Sequence, residues 1–268
     1  MDYRYLTLER RGTVTVLSLD RPEKANALST DVLVEIEHAV LGFRDDAETR
    51  VVVFRGEGKH FSSGADIGDI QARGQAVAPL VARRRTMRMG QRVLRAILEM
   101  DQISIGALHG AAMGGGACIV TALDYRVAAE SFFVCYPAIN QGLNLMWQGL
   151  PLAVHLVGPS KAKRLVILGQ REHASDLLEW GMVDEVVAEA EVLDRALAVA
   201  DSYAAQPPVQ AQMIKRSVNK ITGALDDAIM HMDFDQGILA GATQDAALAR
   251  ELYARNFDPN EKPDFKGR

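Results

Sequence analysis

The stretch ISIGALHGAAMGGGACIVTALDYRVAA, residues 103–129, decides how the chain is read. It opens on an apolar run of strand length, bounded by turn residues. A glycine turn follows, and the apolar residues after the glycines begin a helix. Residues 126–129 then read as a further short strand. The same order of strand and helix recurs along residues 50–135, which predicts a layered α/β core.

On the N-terminal side, residues 5–20 alternate around Arg11-Gly12 and predict a hairpin, ended by Arg21-Pro22. Val32, Leu33, Ile36, Val40 and Leu41 have helical spacing, with Ser29 or Thr30 as the cap. Residues 51–54 form a short apolar strand, and residues 77–100 a helix with a basic face of Arg83, Arg84, Arg85, Arg88 and Arg92. On the C-terminal side helices are expected at 162–169, 174–181, 191–204, 209–221 and 225–253, with Pro207-Pro208 separating two of them.

The chain has 268 residues, 48% hydrophobic and 24% charged, enough for one domain with a helical appendage. A formal net charge of -5 provides no general attraction for nucleic acid or an anionic membrane. Two cysteines, Cys118 and Cys135, are too few for a disulfide framework in a chain of this size. The polar, alternating N-terminus carries no secretory pattern and no apolar stretch has membrane-spanning length, so a cytoplasmic protein is expected.

Gly114, Gly115 and Gly116 would weaken the interior of any element, because each glycine gives up more backbone freedom than other residues. They fit a place where a ligand touches the main chain. A helix starting there points free N–H groups and a positive dipole end at the ligand, which favours developing negative charge. A phosphate loop is the alternative, but neither GxxxxGK[ST] nor GxGxxG is present. A tight structural turn is the plainer reading of the glycines alone.

Read with its neighbours, this turn resembles the crotonase family, also called the enoyl-CoA hydratase/isomerase family. The pieces, in order, are LDRPEKANAL (19–28), VVVFRGEGKHFSSGADI (51–67), HGAAMGGGACIVTALDYRVAAE (109–130), YPAINQG (136–142), GQREHASDLLEWGMVDEVV (169–187) and the terminal KPDFKGR. The resemblance implies a β-β-α spiral core, residues 1–200, which holds an acyl-CoA site, and a C-terminal α-helical trimerisation region, residues 201–268. It further implies a homotrimer or a hexamer built as a dimer of trimers. It places an oxyanion hole at the N–H groups of Ala65 and Gly115, and coenzyme A contacts at Lys24, Ala25, Leu28, Lys59, Ser63, Asp66, Ile67 and Gly114. Coenzyme A enters as part of the substrate, with no permanently bound cofactor and no metal. Phe257, Lys262, Phe265 and Lys266 are tail candidates for a neighbouring coenzyme site.

The family's hydratases use two glutamates, one four residues after the first glycine of GGG and one directly after the proline of FxxPExxxxG. With the spacing kept, those positions hold Cys118 and Ala138. Alanine transfers no proton. Cys118 lies a helical turn beyond Gly115, where a positive helix end would favour a thiolate; a small buried hydrophobe is the competing reading. Ala138 and, after Gly142, Leu143, Leu145, Met146 and Trp147 are candidates for a reshaped acyl pocket, with core packing as the other reading of the last four, while Asp69 and Glu99 are the nearest acids in neighbouring segments. The expected function is therefore an acyl-CoA-processing enzyme, lyase or isomerase, with atypical acid/base residues. A non-catalytic acyl-CoA binder or carrier is the alternative, and RNA binding through the basic helix is a weaker third reading.

Overall fold

Strands covered on both faces are apolar throughout rather than alternating, and the centre of this chain is built from such strands. In the computed structural model, which describes residues 2–72, 78–255 and 263–267, β1 (Leu6–Arg11) and β2 (Val14–Leu19) form the expected antiparallel hairpin, turning at Gly12 with φ of 63°. β2 and β4 (Ile103–Leu108) are buried along their whole length, and β3 (Val51–Gly56) at all but one residue. With β6 (Tyr125–Ala129) and β9 (Glu185–Val187) they make a six-stranded sheet in the order β1-β2-β3-β4-β6-β9, parallel from β2 onward. A second sheet has the order β5-β7-β8, from Ala111–Met113, Phe133–Cys135 and Glu172–His173. Ser62 bridges Ala112 of β5 in parallel.

These connections repeat. The chain passes through β3, then the Ser62 bridge, then α2 (Ile67–Ala72), and again through β4, β5 and α5 (Gly115–Ala122). Each round contributes one segment to the large sheet, one to the small sheet and a helix, which is the β-β-α spiral. β5 and β7 have three residues each, too short to show a period in sequence.

α1 (Thr30–Gly42) starts at Ser29, whose Oγ accepts the Val32 N–H. The single helix expected over 77–100 is two, α3 (Leu80–Met87) and α4 (Met89–Glu99), with residue 77 outside the described residues. α4 buries Met89, Val93, Leu94 and Ile97, whereas α3 buries nothing, so the two follow different surfaces. α6 (Gly149–Lys163) begins earlier than its expected start at 162, and Pro151 is tolerated because it falls in the first turn, whose N–H groups have no intrahelical acceptor. Gly158, at φ 72°, kinks it before Pro159. α7 (Ala174–Glu179) follows, and α8 (Val192–Ala204) lies on the large sheet with Ala196, Val199, Ala200 and Ala204 buried. The expected boundary at 200 therefore falls inside a core helix, and the passage to the C-terminal helices comes at Pro207-Pro208.

The run expected at 225–253 divides into α10 (Asp226–Met230), α11 (Asp233–Gly241) and α12 (Gln244–Ala254), the last capped by Thr243 accepting the Ala246 N–H. α9 (Pro208–Thr222) is tied to the core by Lys215, whose Nζ lies 2.6 Å from Asp124 Oδ2 and donates to the Gln102 carbonyl at 2.7 Å. Ile214, Val218, Ile221, Leu225, Ile229 and Leu239 are exposed along α9 to α11, while Leu248 is half-buried. In the tail, Phe257 and Lys262 lie outside the described residues, and the Lys266 N–H donates to Asp245. No helix among the described residues is long and apolar enough to cross a membrane. Removing one partner of a buried ion pair typically costs about 3–5 kcal/mol. Lys215→Ala is accordingly expected to lower the unfolding free energy by roughly 3 kcal/mol in a urea titration, with Asp124→Asn showing a comparable loss.

Candidate functional site

Three backbone segments meet beside the glycine turn. Asn26, 1% exposed, holds them: its Oδ1 accepts the Arg21 N–H, and its Nδ2 donates to the carbonyls of Glu57 and His60. Ala25 and Asn26 both have left-handed backbone, at φ 49° and 53°, which turns the 21–28 segment against residues 62–66. Ser62 Oγ donates to the Asn26 carbonyl and accepts the Gly64 N–H. The Ser62 carbonyl in turn accepts the Met113 N–H.

The approach leaves no room for side chains. A methyl group on Gly64, which has φ 85°, would lie 2.5 Å from the Met113 carbonyl oxygen and 3.5 Å from Gly115 N; one on Gly116 would lie 2.8 Å from Ser62 Cβ. Leu28 pairs with Ala65 in a parallel bridge by donating to the Gly64 carbonyl and accepting the Asp66 N–H. The bridge directs the Ala65 N–H away from Leu28. Gly115 is the first residue of α5, so its N–H has no intrahelical acceptor. Among the described residues neither the Ala65 nor the Gly115 N–H is used by the fold. Two free main-chain donors on adjoining turns, one at a helix N-terminus, can receive one oxygen that gains negative charge.

Lys24, Ala25, Leu28, Ser63 and Asp66 are brought together by this pairing: the Ser63 N–H donates to the Ala25 carbonyl at 2.9 Å. Lys24 is exposed, as are Ala65 and Ile67, and Lys59 is exposed on the turn after β3. Gly114 caps α5 with φ 49°. Asp66 ties the segments electrostatically, its Oδ2 accepting from Arg21 at 2.6 Å and its Oδ1 from the Asp69 N–H at 3.0 Å. Burial works to raise the Asp66 carboxyl, but the Arg21 hydrogen bond, the Asp69 N–H and the Arg21 charge outweigh it and hold it below its ordinary value. Asp69 accepts both the N–H and the hydroxyl of Thr30, and Glu99 faces Arg44 at 3.5 Å, so both acids have structural partners.

Cys118 is 1% exposed, with burial foremost and then the Asp233 charge pushing its thiol up to about 12. At neutral pH it is a thiol rather than a thiolate, packed against Gly149 at the start of α6. Ala138 is half-buried at the turn before Gly142. Leu145 is in the core, whereas Leu143 and Met146 reach Gly241 and Gly237 of α11. The Trp147 indole lies between Gly90 of α4 and Gly115, against both backbones.

Asp233 was not legible as part of this region, being more than a hundred residues from Cys118 in sequence. Its carboxyl is 1% exposed and accepts the Gln148 N–H at 2.5 Å; burial raises it above its ordinary value against the Gln148 and Phe234 N–H groups. The basic helix is largely engaged within the molecule. Arg84 pairs with Asp235, Arg92 with Glu37, and Arg88 lies over the Phe234 ring. A cleft of about 610 Å³, lined by Leu94, Arg95, Gln148, Leu152, His155 and Asn219 among others, does not include Ala65 or Gly115.

Comparison with known proteins agrees with this architecture. A family profile described as enoyl-CoA hydratase/isomerase matches residues 9–268. A crotonyl-CoA hydratase of Syntrophomonas wolfei is 30% identical over 91% of this chain and 93% of its own. A carnitinyl-CoA dehydratase of Salmonella enteritidis is 31% identical over 95% and 97% respectively. The crystal structure of an enoyl-CoA hydratase/isomerase from Xanthobacter autotrophicus Py2 superposes with a TM-score of 0.86 at 26% identity, covering 95% of this chain and 94% of that one.

The Arg21–Asp66 pair gives a pH-dependent expectation. A carboxyl held low in the folded state stabilises it above the unfolded-state pKa, and the contribution is lost as pH falls through the folded-state pKa. Asp66→Asn should lower the unfolding free energy by about 1.5–3 kcal/mol at pH 7, the scale of a hydrogen bond to a charged group. Denaturant titrations over acidic pH should show the difference from the unmodified protein shrinking in that window.

Proposed function

Because this chain belongs to the enoyl-CoA hydratase/isomerase family, we propose that it binds an acyl-CoA thioester and processes it as a lyase or isomerase. The thioester carbonyl is received by the Ala65 and Gly115 N–H groups. The observation that carries this reading is the pair of uncommitted donors on interlocked turns. An enolate places negative charge on the thioester oxygen, and donors already aimed at it need no reorganisation as that charge develops; one such donor contributes about 3–4 kcal/mol. On this reading Lys24, Ala25, Leu28, Lys59, Ser63, Asp66, Ile67 and Gly114 supply the coenzyme contacts, supported by the pairing that brings the 24–28 and 63–66 segments together.

Proton transfer in this site does not use the two glutamate positions, which hold a buried thiol and an alanine. A thiol held near pKa 12 is a poor base at neutral pH. That same absence favours one alternative, an acyl-CoA binder or carrier without turnover. The exposed apolar residues of α9 to α11 suit assembly into a homotrimer or a dimer of trimers, and light scattering should give a mass of three or six chains; a monomeric mass would overturn that assembly.

Calorimetry with saturated and unsaturated acyl-CoA esters, followed by mass spectrometry of the incubated mixtures, separates the readings. Binding with a product mass change or double-bond shift supports the enzyme. Binding alone leaves the carrier, and no binding removes both. For any turnover found, Ala65→Pro, which deletes one donor, should reduce the rate by about 10²–10³-fold, with a melting curve to show that the protein remains folded. Cys118→Ala should leave coenzyme A ester binding unchanged, and abolition of turnover by this substitution would assign the thiol a chemical role.

A further inference from the structure

Trp147 packs against the edge of the hydrophobic core and is half-buried. Its indole lies against the backbone of Gly115, which carries one of the two donors, and against Gly90 on the opposite side; a methyl group on either glycine would overlap the ring. An acyl-CoA whose carbonyl oxygen rests on the Gly115 N–H must place its acyl carbons in the neighbouring space. We propose that the Trp147 indole is the specificity-determining wall of the acyl pocket and restricts the site to thioesters of small acyl groups. This rests on the acyl-CoA reading of the two donors.

The backbone under the indole supports the assignment. Trp147 and Gln148 are consecutive non-glycine residues in the left-handed region, at φ 68° and 59°, a conformation unfavourable by roughly 1–2 kcal/mol per residue. Such a turn persists only when its surroundings fix it. The Gln148 N–H donates to Asp233 Oδ2 at 2.5 Å, and Asn144 Nδ2 donates to the Asp233 carbonyl at 3.2 Å. The Gln148 side chain is held by Arg95 and Asp227, and the Met146 sulfur rests on Gly237. Trp147 is half-buried, so part of the ring that packs on the core remains uncovered. The strained turn, clamped from α11 and α4, sets a large rigid ring beside a donor. Asp233 and Asn144 are positioning residues for that ring.

Calorimetry with acetyl-, butanoyl-, hexanoyl- and decanoyl-CoA on the unmodified protein, Trp147→Ala and Trp147→Leu tests the proposal. The unmodified protein is expected to bind acetyl-CoA at least about tenfold more tightly than decanoyl-CoA. Either variant should shift the ratio of decanoyl-CoA to acetyl-CoA affinity by about tenfold or more toward decanoyl-CoA, the range that pocket volume controls. Trp147→Leu keeps an apolar side chain and decides the matter if the alanine variant does not melt cooperatively. In a Trp180→Phe protein, acetyl-CoA should change the emission of Trp147, the remaining tryptophan, more than free coenzyme A does. A chain-length profile unchanged by both substitutions, or equal binding of acetyl- and decanoyl-CoA by the unmodified protein, overturns the proposal while leaving acyl-CoA binding intact. Failure of all the folded proteins to bind any thioester overturns the acyl-CoA reading and this proposal with it.

Discussion

The close approach of two backbones, residues 62–64 against residues 113–116, is the constraint on which the other features depend. Ser62 accepts and donates across the junction, and Gly64 and Gly116 are where any side chain would drive the segments apart. Because the junction joins successive rounds of the spiral, it also fixes the small sheet beside the large one. The same contact brings the uncommitted Ala65 and Gly115 N–H groups onto adjoining turns, so the glycines that the fold requires also set where these two donors lie. Asn26 extends the junction to the 21–28 segment, its amide bonding Arg21, Glu57 and His60 from a left-handed turn that asparagine tolerates better than most residues.

Much of this was legible in the sequence where the signal was local or carried by a contiguous motif. Ser29 as a cap, the Gly12 hairpin and the long apolar strands follow from short-range rules and are found in place. Three-residue strands such as β5 and β7 leave no readable period, and their pairing comes only from the spiral. Helix limits differ from the expected ones at specific places: Arg88 divides α3, which buries nothing, from α4, and α6 starts at Gly149 with Pro151 in a first turn, where a proline interrupts no helical bond. Asn26 and Ser62 lay inside motifs noticed for other reasons. Asp233 was invisible because its placement depends on α11 returning to the core.

The site also separates two properties that a motif presents together. Main-chain donors survive substitution because they belong to the backbone, whereas acid and base groups are side chains and vary freely. Cys118, one helical turn into α5, is 1% exposed and packed against Gly149. Burial that would help a neutral side chain pack is the same burial that suppresses its ionisation. The arginines of α3 and α4 show the complementary case, since a basic stripe in sequence becomes a set of partners for Glu37, Asp235 and Phe234 in the folded chain.

The clamp from α11 also sets an order of events during synthesis. Asp233 reaches back 85 residues to the Gln148 N–H, and Gly237 and Gly241 close on Met146 and Leu143. A nascent chain that has completed the spiral through α8 possesses both main-chain donors but not the segment that settles the loop beside them. Non-local contacts of this kind form late and slowly. The loop at residues 143–148 therefore settles only once α11 has been made, and a chain cut short before α11 would leave the Gln148 N–H without its Asp233 partner.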